Sequence, residues 1–256
     1  MSISISRLSA AWFEFKGVKS NTLDVYMTKM PARHIPARNL VRTKVAARSG
    51  SVRMTDGSYD DIAIDVSFML LNPANRNTLA ALLTGSGKLR FSDDDTYEYD
   101  AVIETSPSMQ FVHNGFDPQE YDVTFICHPF KTLHTPASDI VATEGGVYTN
   151  PGTAESLPRV TVVGSGAFNI TIDGMTMFFH DVVDGVIIDS ELGDVLNAAG
   201  TLLANANAEG ELYRIKPGNF LVDWTEGGIG VDANDDDVTL PGTITSVTIT
   251  PRWGYG

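Results

Sequence analysis

Apolar and polar residues alternate with a period of two again and again along the chain, and this commits most of it to strands. Ile62, Ile64, Val66 and Phe68 alternate with Ala63, Asp65 and Ser67, which puts one row of side chains on each face of a strand. The same alternation returns at Tyr121–Ile126, Arg159–Val163 and Ser246–Thr250. The run from Phe168 to Phe179 reads as a hairpin, two alternating segments about Asp173-Gly174, because both residues of that pair tolerate the positive φ angles of a tight turn. Asp56-Gly57, Gly85-Ser86-Gly87, Asn114-Gly115 and Gly164-Ser165-Gly166 are read as further turns between strands. The N-terminal MSISIS alternates too and lacks the apolar core of a leader, so it is read as strand. No apolar run approaches the ~20 residues that cross a bilayer.

One helix interrupts the strands. Asn72 caps it, Pro73 suits its first turn, Leu79, Leu82 and Leu83 form its apolar face, and Gly85 ends it. A weaker helical stretch is expected at 193–203. Residues 131–158, rich in Thr, Pro, Gly and Ser, read as a linker running into the first strand of a second domain.

Charge divides the chain where that linker begins. The net charge of the 256 residues is −14. Residues 1–135 carry 14 Lys and Arg against 15 Asp and Glu, whereas residues 136–256 carry 4 against 17. A break of this size is expected at a domain boundary, so domains of 1–135 and 136–256 are expected. The acidic second half would repel phosphates, which argues against nucleic-acid binding there. Basic charge is concentrated instead in residues 29–53, which hold seven Lys and Arg and no acid.

Signatures of catalysis are missing. There is no G-x-S-x-G elbow. The five histidines have neither i, i+4 spacing nor cysteine partners for zinc. Cys127, the sole cysteine, sits in an alternating strand where a buried inert thiol is expected, and His128 beside it points to the opposite face. Gly228-Ile-Gly230-Val-Asp-Ala233 has the form of a dinucleotide fingerprint, but Asn234-Asp235-Asp236-Asp237 follows it rather than a helix. Asp93-Asp94-Asp95 and the group Asp232, Asn234, Asp236 and Asp237 offer oxygen ligands for calcium, the second without the glycine and glutamate of an EF-hand loop. Trp224, Trp253 and Tyr255 are expected to be core aromatics rather than a sugar-stacking platform. No enzyme, cofactor or metal is expected.

Taken in order, several phrases resemble the distal tail protein family of long-tailed phages. In the first half they are Trp12–Ser20, Ala47-Arg48-Ser49-Gly50, Met54–Tyr59, Leu82-Leu-Thr-Gly-Ser-Gly87, Leu89–Asp93 and Phe125-Ile-Cys-His-Pro-Phe130. In the second they are the strand after Pro158, Gly164-Ser-Gly166, Gly185–Glu191, Ile215-Lys-Pro-Gly-Asn219 and Thr250-Pro-Arg-Trp253. Ala46-Ala47 departs from the pattern, standing where a Pro-Gly is expected. The resemblance implies a mainly β protein: an N-terminal β-rich belt domain with one short helix, and a C-terminal galectin-like β-sandwich. It also implies a structural role in the virion, following assembly in the bacterial host cytoplasm. A homohexameric ring would join the tail tube protein to the tail-tip hub around a DNA channel, with a receptor-binding protein as a further partner. No membrane and no specific nucleic-acid sequence would be bound. In that setting Arg33, Arg38, Arg42, Lys44, Arg48 and Arg53 become interface candidates, on an arm or hairpin reaching a neighbouring subunit or the tube; a solvent-exposed basic loop is the equal alternative. The alternatives are a carbohydrate-binding β-sandwich protein and, more remotely, a glycan-cleaving enzyme.

Overall fold

Strand follows strand through both halves of the protein. The computed structural model describes residues 11–47, 49–55, 57–104, 119–201, 203–231 and 237–256. The chain divides into two units, Met1–His134 with Gly256, and Thr135–Tyr255.

The first unit contains β1 (Phe13–Phe15), β2 (Val18–Lys19), β3 (Val25–Met27), β4 (Val41–Lys44), β5 (Ser51–Met54), β6 (Ile62–Leu70), α1 (Arg76–Leu82), β7 (Gly85–Phe91), β8 (Tyr97–Ile103), β9 (Gln119–Cys127) and β10 (Thr132–Leu133). Eight of these strands form one antiparallel sheet in the order β2-β1-β7-β8-β9-β6-β3, with β10 beside β8. The sheet curls: at its far edge the Met27 amide donates to the Ala11 carbonyl, just ahead of β1. The alternating residues of β6 face inward, and Phe68 and Phe125 join Phe13 and Phe15 in a cluster of rings with centroids 5.2–6.0 Å apart. The Asn72 side chain accepts from the Ala74 amide and opens a short 3-10 turn, Pro73–Asn75, that leads into α1. Leu79, Leu82 and Leu83 are buried against the ring cluster, as the apolar face of the helix requires.

Gly85-Ser86-Gly87 is not a turn between strands but the start of β7. A Cβ on Gly87 would lie 2.5 Å from Cγ of Lys16. Glycine there lets the Lys16 side chain cross the strand, with its ammonium donating to the Thr84 carbonyl.

The second unit contains β11 (Ile140–Ala142), β12 (Gly146–Asn150), β13 (Arg159–Ile172), β14 (Met175–Val182), β15 (Val186–Asp189), β16 (Asp194–Asn197), β17 (Ala208–Gly210), β18 (Gly218–Glu226), β19 (Gly228–Val231), β20 (Asp237–Leu240) and β21 (Gly242–Thr250). All but the β19–β20 hairpin belong to one sheet. Its spine is β13, whose first half pairs with β21 and β15 and whose second half pairs with β18 and β14. One strand therefore serves two half-sheets. Their apolar faces meet where the Phe220 ring, on β18, lies edge-on to Trp253, just past β21.

The bend of β13 falls at Gly164-Ser165-Gly166, so these residues are not a turn either. The register slips between Val163 and Gly164 against β21, and between Gly166 and Phe168 against β14. A Cβ on Gly166 (φ +85°) would lie 2.2 Å from the Pro241 oxygen, and one on Gly242 would lie 1.7 Å from the Ala167 oxygen. The backbones cross too closely for side chains, which is the requirement these glycines meet. Asp173 and Gly174, both at positive φ, make the expected hairpin turn between β13 and β14.

Two further expectations are corrected. The described residues of 193–203 are not helical: β16 pairs with the wholly buried β15, and Val195 points inward. Tertiary pairing outweighs a weak local preference here. The stretch 131–158 is not all linker, since β11 adds to β21 and β12 to β18. Asn114-Gly115, Asp56 and the N-terminal MSISIS lie outside the described residues.

Candidate interaction surface

The basic segment builds a hairpin of its own. Among the described residues, β4 and β5 pair only with each other. Their register sets Val41 opposite Met54 and Thr43 opposite Val52 on one face, and Arg42 opposite Arg53 and Lys44 opposite Ser51 on the other. Like charges directly opposite each other destabilise a strand pair, and a lone two-stranded hairpin is marginal in water. The apolar face is equally uncovered: Val41 is 60% and Met54 65% exposed, and Met30, Ile35, Leu40 and Val45 are exposed as well. A β-ribbon with bare apolar and basic faces is a candidate contact surface.

The turn of this hairpin holds Ala47 at φ +60°. Glycine reaches that region without strain, and for alanine it costs roughly 1–2 kcal/mol. The Ala-Ala departure thus keeps a glycine-like backbone.

The candidate cations divide into two groups. Arg33 is held within its own unit: it pairs with Asp93, approaches Asp94 at 3.8 Å and stacks 5.0 Å above Phe91. Arg38 donates from Nε to the Tyr59 hydroxyl at 3.0 Å and lies over that ring, which itself meets Phe130 edge-on at 4.9 Å. These two anchor the base of the hairpin. Arg42, Lys44 and Arg53 project from it and are exposed. Arg48 lies outside the described residues. The sequence showed the excess of basic residues but not this division, which depends on Asp93 and Tyr59 from elsewhere in the chain.

The other candidates resolve as follows. Asp93 and Asp94 are ion-paired with Arg33, and Asp94 also with Lys131 at 2.7 Å. Two cations thus offset two of the three carboxylates considered for calcium. Asp232, Asn234 and Asp236 lie outside the described residues. Among the described residues, no group of three or more His, Cys, Asp and Glu side chains could hold a metal. Cys127 is buried, and burial pushes its thiol up to about 12. Of the three aromatics expected in the core, Trp253 is buried at 5% exposure, whereas Trp224 and Tyr255 are only half-buried. Gly228–Val231 forms the hairpin strand β19 rather than the lead into a helix.

One ion pair of the second unit escaped sequence reasoning. Arg252 grips the buried Asp189 carboxylate with two hydrogen bonds, at 2.7 and 2.9 Å, and Asp189 Oδ1 also accepts from the Glu191 and Leu192 amides. The Arg252 hydrogen bond, opposed by burial, holds the Asp189 carboxyl below its ordinary range, and the same contact raises Arg252. The pair ties the end of β15 to the C-terminal segment, a structural role.

Neither protein-family models nor curated protein sequences match the chain. Solved structures do. The Dit protein of phage SPP1, described as a paradigm of the hub adsorption apparatus in phages that infect Gram-positive bacteria, shares the fold at a TM-score of 0.66 and 14% identity. The match covers 94% of this chain and 98% of that one. A chain of the phage P2 baseplate in its activated, calcium-containing form matches over the same shares of both chains, at a TM-score of 0.49 and 8% identity.

Proposed function

We propose that the protein is a structural subunit of a phage tail tip, a ring-forming distal tail protein without catalytic activity. The observation that carries this reading is the SPP1 Dit fold, followed through both units of the chain and covering nearly all of each protein. In this reading residues 1–135 are the belt domain that closes a homohexameric ring, and residues 136–256 are a galectin-like sandwich on its periphery. The ring joins the tail tube to the tail-tip hub within the virion and leaves a channel for DNA. A receptor-binding protein is a further partner.

The β4–β5 hairpin supplies the contact that such a ring needs. Six copies at −14 each repel one another, so apolar burial has to supply affinity and opposite charge has to set register. The hairpin offers both, an apolar face around Val41 and Met54 and a basic face around Arg42 and Arg53. Its partner is an acidic groove on a neighbouring subunit or on the tube.

Negative-stain microscopy and sedimentation of the purified full chain test the reading. Six-fold rings are expected, and reversing Arg42, Lys44 and Arg53 to Glu is expected to weaken them while leaving the subunit folded. A protein that stays monomeric at high concentration, in both low and moderate salt, overturns ring formation.

A further inference from the structure

The second unit contains a cleft created where the chain leaves its own sheet. β17 is the last strand beside β14, with Gly210 opposite Met177. At Gly210 φ is +128°, and a Cβ there would lie 2.7 Å from the Thr176 oxygen. The chain turns away at that point. It runs from Glu211 to Arg214 without a strand partner until Ile215 bridges Ser156. The gap between this segment, the Asp173–Met175 turn, Glu155–Leu157 and Ser190 is a cleft of about 650 Å³.

Two features of its wall point to a ligand. The backbone of Glu211–Arg214 makes no backbone hydrogen bond to a described residue, which leaves this segment without a strand partner. The charges of the wall are also held apart. Arg214 and Lys216, two of only four basic residues between 136 and 256, form no ion pair among the described residues, although Glu155 and Glu211 line the same cleft.

We infer that this cleft binds an extended polypeptide segment of a partner protein, carrying positive and negative side chains at alternate positions. The segment's backbone completes the edge at Glu211–Arg214 in the manner of strand addition. Its acidic side chain meets Arg214 and Lys216, its basic side chain meets Glu155 and Glu211, and an aliphatic side chain rests on Leu212 and Met175. A sugar suits the wall poorly. The ring of Tyr213 is fully buried, with its hydroxyl donating to the Ile170 carbonyl at 3.0 Å, so it offers no face for stacking. The cleft lies wholly within the second unit, so this inference does not depend on ring formation.

The test is methyl NMR of the full chain, titrated with pools of capped hexapeptides bearing Lys or Arg and Asp or Glu at alternate positions, and separately with cellohexaose. Saturable shifts at Leu157, Met175 and Leu212 are expected from at least one peptide pool. The double variant Arg214→Glu/Lys216→Glu, at two exposed positions, is expected to weaken binding at least about tenfold, and Glu144→Lys, exposed and outside the lining of the cleft, is expected to leave it unchanged. Silence from every peptide pool, undiminished binding by the double variant, or a response to cellohexaose alone overturns the inference.

Discussion

Replacing Gly242 with alanine tests whether the crossing of β13 and β21 holds the second unit together. The new methyl carbon would sit 1.7 Å from the Ala167 oxygen and 2.6 Å from its carbonyl carbon. Carbon and carbonyl oxygen ordinarily approach no closer than about 3.3 Å, so the backbones must part by about 1.5 Å. Two hydrogen bonds meet at this point: Ala167 N donates to Pro241 O at 3.0 Å, and Ala167 O accepts from Gly227 N at 2.8 Å. A displacement of that size carries the first beyond hydrogen-bonding range and misaligns the second. Each buried backbone group left unpaired costs about 1–3 kcal/mol, so the expected loss is about 2–5 kcal/mol, a large share of the ~5–15 kcal/mol that holds a domain folded. Gly174→Ala is the control. Its φ of +79° is strained for alanine, but no atom lies within 4 Å of the new carbon, so only about 1–2 kcal/mol is at stake. Urea unfolding of the full chain, read from the methyl signals of Ile170 and Ile249, separates this unit from the first, reported by Ile64. A Gly242→Ala protein that loses under about 1 kcal/mol, or no more than Gly174→Ala, refutes the reasoning.

Arg252→Met leaves the buried Asp189 carboxylate without its cation and is expected to cost about 2–4 kcal/mol at neutral pH, somewhat less than for a wholly buried pair. Because Asp189 titrates below its ordinary value when folded, its contribution is present above the unfolded carboxyl range near pH 4 and is lost as pH falls through the lowered folded value. The variant's stability should therefore fall less steeply in acid than that of the native protein, and matching acid limbs in urea titrations at a series of pH values would count against the pair. Cys127, buried and raised to about 12, is expected to resist iodoacetamide at pH 8 until the first unit unfolds, since the thiolate is the reactive form. Rapid labelling of the native protein would contradict its placement.

What the sequence determined by itself was local. The alternation of β6 and of 121–126, the Asp173-Gly174 hairpin and the Asn72-capped helix were legible because each is specified by neighbours a few residues apart: a period, a turn pair, a cap. Exclusion of a dinucleotide site was legible for the same reason, since the residues after Gly230 lack any helical pattern. Tertiary structure decided what the remaining glycines were for. Gly164-Ser165-Gly166 looks like any other turn until β21 crosses it, and a close approach between strands about 80 residues apart leaves no local mark. It also decided that 193–203 holds a strand, because the partner that makes it one is the buried β15. The basic segment shows both sides. Seven cations without an acid were visible at once, yet only the register sets Arg42 against Arg53, and it is Asp93, Asp94 and the Phe91 ring that withdraw Arg33 from the surface. Charge is a property of the chain, whereas its neutralisation depends on which distant residues the fold brings alongside.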